Sequence, residues 1–233
     1  MIKNPPHRSL LPSWNLDVVL DFLQNWPFEP VTKASLESIT LKTVFLVAIT
    51  TARRVSEIGA LGRNSPYVRE EQDGVRLRTR PGFLPKTATA EYLGQDIFLP
   101  SFRKNRLLCV KRMFKIYCAA TATLAKFDKQ EDPLFVLFSG SQRGKAASKG
   151  VISSWIRRVI KAAYAAAGRS LPSVKAHSTR AMGTSWALFN RATVESIMKA
   201  ADWRRKLTFA KHYSLNLWKE KDGHFGRRVL NRN

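Results

Sequence analysis

Residues 35–51 constrain the fold more than any other stretch, because their apolar side chains follow a helical period. Leu36, Ile39 and Val47 lie on one stripe, and the run 44–49 is almost wholly apolar. Ser35 stands just before this stretch, where a serine favours the start of a helix. The pattern predicts a helix at the centre of the core.

Helical and strand periods alternate along the rest of the chain. Helical spacing predicts helices over 16–25, from 105 onwards, and over 150–167, 177–190, 193–201 and 206–218. Short segments at 67–69, 75–78 and 96–99 are typical of strands, and a turn at 72–74 joins the first two. Residues 134–138 are expected to be a short strand or an extended run. We therefore expect an α+β fold, mainly α-helical with a small antiparallel β-sheet. The polar segment 139–149 is predicted to be a mobile loop.

The charge of the chain indicates a nucleic-acid partner. The 233 residues include 40 Lys+Arg against 17 Asp+Glu, a formal net charge of +23, and 44% are hydrophobic, enough for a real core. A basic ribosomal component has the same balance, and so does an RNA-binding protein, although no RNP-like aromatic motif is present. We expect double-stranded DNA as the partner.

Length and composition predict one folded domain over 15–218, a basic, proline-rich arm over 1–14 and a basic tail over 219–233. Neither a signal peptide nor a membrane-spanning run is visible in the sequence. Cys109 and Cys118 are expected to be buried thiols in a reducing compartment. The chain is therefore expected to be soluble and intracellular.

Five side chains could together hold a phosphate diester and attack it. Arg54 and Arg180 offer planar forks to the non-bridging oxygens, and His177 is three residues from Arg180 on a predicted helix. Trp203 offers an indole N–H, and the hydroxyl of Tyr213 is a possible nucleophile. Taken singly, each of these residues is more often a surface or core side chain.

For some of these positions the sequence alone leaves a competing residue or a competing interpretation. Arg53 competes with Arg54, because only one of two adjacent arginines should point inward. Glu57, three residues after Arg54, could hold that arginine by a charge-assisted pair or could be solvated. His212, next to Tyr213, is more typical of packing or a phosphate contact than of a nucleophile.

The set, in this order and spacing, resembles the tyrosine recombinases, the integrase and site-specific recombinase family. Four stretches are similar to the recombinases of eukaryotic DIRS-type and Ngaro-type retrotransposons, and they lie at 12–17 (PSWNLD), 41–57 (LKTVFL…TARRVSE), 82–87 (GFLPKT) and 176–182 (AHSTRAM). The resemblance covers roughly residues 12–218. It implies the tyrosine recombinase catalytic-domain fold for that stretch.

The resemblance also implies roles. Tyr213 attacks the scissile phosphate and gives a 3′-phosphotyrosyl enzyme with a free 5′ hydroxyl. Arg54, Arg180, His177 and Trp203 bind the phosphate, and His177 also accepts a proton. Lys86, in a β-hairpin, protonates the departing 5′ oxygen, and Lys145 is its rival; Glu57 positions the first arginine. No cofactor, metal or ATP is expected.

Assembly and context follow from the same resemblance. Members usually carry an additional amino-terminal DNA-clamping domain, and only 53 residues precede Arg54, so the chain is expected to be a catalytic domain. We expect self-association on DNA, as a tetrameric synapse, in the nucleus, with integration of a circular DNA intermediate. Residues 214–233 would pack either on a neighbouring protomer or on their own core. The rival functions are a type IB topoisomerase-like nicking and resealing enzyme and a non-catalytic DNA-binding descendant.

Overall fold

A computed structural model describes residues 14–124, 132–170 and 174–204 of the chain. Within these residues the α-helices are α1 Leu16–Leu23, α2 Leu36–Thr51, α3 Val55–Gly59, α4 Val110–Ala120, α5 Lys149–Ala166, α6 Ser178–Phe189 and α7 Val194–Ala201, and the strands are β1 Val68–Glu71, β2 Gly74–Leu77 and β3 Ile97–Pro100. The expected mainly helical α+β fold with one small antiparallel sheet is confirmed. The helix predicted at 206–218 and the tail at 219–233 lie outside the described residues.

Helix α2 is the centre of the core, as its apolar run predicts. The hydroxyl of Ser35 accepts a hydrogen bond from the backbone N–H of Ser38 and caps its first turn. Val44, Phe45 and Val47 are fully buried, and α4, α5 and α6 all pack against the helix. Burial on most sides explains why the threonines in α2 bond within the helix; the Thr43 hydroxyl, for example, donates to the Ile39 carbonyl at 2.7 Å.

The three strands form one antiparallel sheet in the order β1-β2-β3. Val75 of β2 pairs with Leu99 of β3, and both side chains are fully buried against the helical core. Residues 78–96 join β2 to β3 and are called here the β2–β3 connection. This connection contains Lys86, so the lysine lies within a hairpin, as expected.

Helix α6 lies close against α2 because it has a glycine at the crossing. A Cβ atom added to Gly183 would lie 2.5 Å from the Ile49 carbonyl oxygen, well inside van der Waals contact. The glycine therefore lets the two helix backbones approach. This packing brings the start of α6 to the end of α2, where the candidate arginines are found.

One predicted helix begins later in the structure, and the alternatives left open for 134–138 are decided. The helix expected from 105 begins only at Val110, because the Asn105 side chain accepts the N–H groups of Leu107 and Leu108 and holds a separate 3-10 turn. Residues 134–138, expected to be a short strand or an extended run, do not form a strand. Pro133 and Val136 make only single bridges, to Gly62 and Ala146, so no continuous ladder exists there.

Other expectations concern the arm, the loop and the cysteines. Trp14, at the end of the expected arm, is buried, and its indole N–H donates to the Ser178 hydroxyl at 2.8 Å. The 139–149 segment contains a turn in which the Leu137 N–H donates to the Lys145 carbonyl and the Gly144 N–H donates to the Leu137 carbonyl. Cys109 is a buried free thiol, whereas Cys118 is half-buried, so the prediction that both are buried holds only for the first.

In the part of the chain that the structure describes, no helix combines the length and apolarity that crossing a bilayer requires.

A buried ion cluster fastens the segment before α2 to two helices. The Lys42 ammonium lies 2.7 Å from Glu29 Oε1, and the Arg112 guanidinium lies 3.0 Å from the same oxygen. Burial lowers the pKa of Lys42. Burial alone would raise the pKa of Glu29, but hydrogen bonds from Arg112 and Lys42 outweigh it, and the pKa is lowered.

Candidate active site

A basic cleft of about 490 Å³ opens between the start of α3, one face of α5 and the residues that precede α6. Arg54 comes from the first of these elements, Lys149 and Arg157 from the second, and Lys175 and His177 from the third. Among the described residues that line it, none is acidic. The cleft therefore presents cationic side chains from three separate elements to a single space, as an anionic ligand requires.

Arg54 is held at the cleft by the local backbone and by one carboxylate. Ala52 takes a left-handed conformation, with φ 51°, and ends α2, so that Arg54 becomes the residue immediately before α3. Its guanidinium donates to Glu57 Oε1 at 2.9 Å, and its side chain is 24% exposed. The expected contact between Glu57 and Arg54 is therefore present, and the arginine still reaches solvent.

Arg53 is the more deeply buried of the two adjacent arginines. Its side chain is 4% exposed and does not line the basic cleft. Its guanidinium lies 3.6 Å from Glu57 Oε2 and 3.6 Å from Asp202 Oδ2. Both arginines thus contact Glu57, but only one of the two lines the basic cleft. Arg54 alone faces the cleft.

His177 and Arg180 are separated by the first turn of α6. His177 is the N-cap residue and is exposed at the cleft, whereas Arg180 is buried. The Arg180 guanidinium donates to the Ala201 carbonyl, and its central carbon lies 4.7 Å from the centroid of the Trp203 ring. The arginine is therefore oriented by the turn that ends α7 and by a cation–π contact.

Trp203 follows a left-handed residue at the end of α7. Asp202 has φ 54° and ψ 50°, a conformation that aspartate tolerates better than most residues. The indole is buried with Ala52, Ile197 and Ala201 in a small apolar cluster. Its ring face is turned to Arg180, and the role expected for its N–H stays a prediction.

Lys86 and Lys145 are both exposed, and neither lines the basic cleft. Lys86 lies in a turn in which the Ala88 N–H donates to the Pro85 carbonyl at 2.8 Å. The next residue, Thr87, donates its hydroxyl to Asp202 Oδ2 at 2.8 Å. This bond attaches the Lys86 turn to the residue before Trp203, and it favours Lys86 over its rival.

Tyr213 and His212 lie outside the described residues. The described candidates form a continuous chain of contacts instead of a single open pocket. Arg54 and His177 line the cleft, Glu57 and Arg53 connect Arg54 to Asp202, and Asp202 adjoins the Trp203–Arg180 pair.

Four residues of this region were not singled out by the sequence patterns. Lys149, Arg157 and Lys175 line the cleft, and Asp202 links three candidate segments. A signal was present for one of them, since Arg157 lies four residues before Lys161 in the predicted helix 150–167, so that the two basic side chains share a face. Asp202 had a weaker signal, as an acidic residue directly before Trp203 in a strongly basic chain.

The described elements define the fold of a tyrosine recombinase catalytic domain. The structure is similar to the XerH site-specific recombinase bound to palindromic difH substrate in a post-cleavage complex, with a TM-score of 0.65 and 14% identity, covering 99% of this chain and 55% of that one. It is also similar to the integrase of transposon Tn1549 in complex with transposon right end DNA, with a TM-score of 0.62, 13% identity and coverage of 98% and 69%. For XerA recombinase the TM-score is 0.59, with 17% identity and coverage of 99% and 68%.

At these identities the likeness establishes the fold. The chain spans about half of the XerH chain, 55% of its length. No protein-family model matches this sequence, and a search of curated proteins finds no match either.

Proposed function

We propose that this chain is the catalytic domain of a DNA strand-exchange enzyme that works through a phosphotyrosyl intermediate. The observation that carries the proposal is the shared cleft: Arg54 and His177, 123 positions apart in sequence, line one basic space. Glu57 and Arg53 connect this cleft to the Arg180–Trp203 pair. The fold of known recombinases supports the same conclusion.

The chemistry assigned to these residues balances without a metal. The phenol oxygen of Tyr213 forms a bond to phosphorus while the bond from phosphorus to the 5′ oxygen breaks. The proton of the phenol passes to His177, and Lys86 supplies a proton to the departing 5′ oxygen. Arg54 and Arg180 stabilise the charge that develops on the non-bridging oxygens. Attack by a 5′ hydroxyl from another strand reverses these steps and completes the exchange.

Double-stranded DNA is the proposed substrate because the basic surface extends beyond the cleft. Arg157 and Lys161 are exposed on α5, next to Lys149 at the start of the same helix. These side chains could follow a phosphate backbone and release its counterions. The motif stretches favour an enzyme of a retrotransposon that joins a circular DNA to the genome in the nucleus, assembled as a tetramer on its sites.

A DNA substrate with a nick beside the scissile phosphate tests the proposal. Release of the short fragment after cleavage traps the covalent complex, so the full chain should form a protein–DNA adduct in the presence of EDTA. Tyr213→Phe should form none. Tyr164→Phe is the matched control, because the Tyr164 hydroxyl accepts the Asn15 N–H in the core, and this variant should keep the adduct.

An adduct that persists in Tyr213→Phe would assign the nucleophile to another residue. Loss of the wild-type adduct in EDTA would overturn the metal-independent mechanism. Substrates with two sites then separate the two outcomes of cleavage. Exchanged strands indicate a recombinase, whereas relaxation alone indicates a topoisomerase-like enzyme.

A further inference from the structure

The carboxylate of Asp202, at the end of α7, contacts the β2–β3 connection and the residues between α2 and α3. Thr87 donates its hydroxyl to Oδ2 at 2.8 Å, and Tyr92 donates its hydroxyl to Oδ1. The Arg53 guanidinium lies 3.6 Å from Oδ2. Asp202 itself is 2% exposed, so its carboxylate is largely shielded from water, which strengthens charge-assisted bonds.

Arg53 extends this network to Glu57 beside the cleft and to the end of the β2–β3 connection. One terminal nitrogen faces Glu57, the residue that holds Arg54 at the cleft, at 3.6 Å. The other donates to the carbonyl of Asp96 at 3.4 Å, at the end of the β2–β3 connection. The connection is therefore fastened at 87, 92 and 96, and Lys86 is one residue from the first of these points.

Tyr92 is held from two sides. Its hydroxyl bonds Asp202, and the Arg204 guanidinium lies 5.1 Å from the centroid of its ring. Burial, together with the hydrogen bond to Asp202, raises the pKa of Tyr92 to about 12. The hydroxyl is therefore protonated at neutral pH and remains a donor.

We propose that Arg53 and Asp202 are positioning residues that hold the β2–β3 connection against the turn before Trp203, so that Lys86 can protonate the leaving 5′ oxygen. The inference rests on the proposed strand-exchange function and adds to it. Neither residue is assigned a contact with the phosphate. Their effect on catalysis is exerted through Lys86.

Replacing the leaving oxygen by sulfur separates this role from a purely structural one. A thiol has a pKa of about 8.5, whereas that of water is about 15.7, so a departing thiolate needs no proton from an acid. A variant that misplaces the acid should cleave the oxygen substrate slowly and the 5′-thio substrate at nearly the normal rate. A variant with a generally damaged site should lose both activities.

Asp202→Asn is the main variant, because asparagine tolerates the left-handed backbone and keeps the shape of the side chain. Single-turnover cleavage at saturating DNA should be roughly 100-fold slower on the oxygen substrate, in the range of general acid catalysis. On the sulfur substrate the rate should fall less than about threefold. Asp132→Asn, which alters a buried carboxylate bonded to Asn64, is the matched control and should leave the ratio of the two rates unchanged.

Equal loss on both substrates, or no loss on either, would overturn the inference. If Asp202→Asn does not fold, Thr87→Val and Tyr92→Phe decide, since each removes one hydrogen bond and should slow only the oxygen substrate. Lys86→Ala and Lys145→Ala identify the acid itself, and sulfur rescue of Lys145→Ala but not of Lys86→Ala would refute the assignment. If the wild-type chain cleaves neither substrate, it is the proposed function that fails.

Discussion

The contacts of the Arg180 side chain fix its orientation in the absence of DNA. It is 1% exposed, bonded to the Ala201 carbonyl and stacked on Trp203. A guanidinium held in this way loses little conformational freedom when a phosphate binds. Trp203 therefore orients Arg180 through its ring face, and the N–H donor role expected for its indole is a separate prediction.

Substitutions at Trp203 separate these roles. Trp203→Phe keeps an aromatic face for Arg180 and removes the N–H, whereas Trp203→Ala removes both. Losing one hydrogen-bond donor to a developing charge costs about 3 kcal/mol, or roughly 100-fold in rate, whereas a cation–π contact contributes about 0.5–2 kcal/mol. If the N–H contacts the phosphate, we expect Trp203→Phe to cleave roughly 100-fold more slowly and Trp203→Ala more slowly still. Near-normal cleavage by Trp203→Phe would limit Trp203 to orienting Arg180.

Among the elements, α5 contributes most of the exposed positive charge beside the cleft. Lys149, Arg157 and Lys161 are eight and four residues apart, so they lie on one side of the helix. Each phosphate contact changes the slope of log affinity against log salt by about −0.9. This face should therefore control the salt dependence of DNA binding.

Alanine at Lys149, Arg157 and Lys161 together should make the salt slope shallower by about 2 to 3. Gel-shift titrations at several salt concentrations measure the slope, with Tyr213→Phe as background to prevent cleavage. Alanine at Arg103, Lys104 and Arg106 removes the same charge from exposed residues that do not line the cleft. An equal change in both triple variants would show that only net charge matters.

Sequence periodicity predicted the elements better than it predicted their contacts. Helix α2 follows from its apolar run, and the sheet follows from its short alternating segments. The left-handed turn at Ala52 was not visible, because its backbone conformation depends on packing, and it decides which of Arg53 and Arg54 faces the cleft. The contact of Asp202 with Tyr92 joins residues 110 positions apart, and no local pattern reports such a distance.

At the scale of the whole molecule, the buried Glu29–Lys42–Arg112 cluster joins the segment before α2 to α2 and α4. Glu29→Gln should be strongly destabilising, because it leaves two cations near one another without their carboxylate. The cost of breaking a buried pair is about 3–5 kcal/mol. Denaturant unfolding measures it, and Glu70→Gln, which removes an exposed partner of Lys115, should leave the free energy of unfolding nearly unchanged.

The same cluster should make the free energy of unfolding depend on pH. The pKa of Glu29 is lowered from 4.5 in the folded protein, so its stabilising contribution is complete above about pH 4.5 and is lost as the pH falls through the folded-state pKa. Unfolding curves between pH 7 and pH 3 should show this loss in the wild type. Glu29→Gln should show a smaller loss, and an unchanged acid profile would contradict the contribution of the cluster.

The length of α5 also limits how much DNA its basic face can contact. Twelve residues separate Lys149 from Lys161, a rise of roughly 18 Å along the helix. One turn of DNA is about 34 Å long, so a backbone followed by this face would be covered for about half a turn, or five base pairs. A binding site of greater span would need its remaining footprint from other surfaces, either elsewhere in the chain or on a second copy of it.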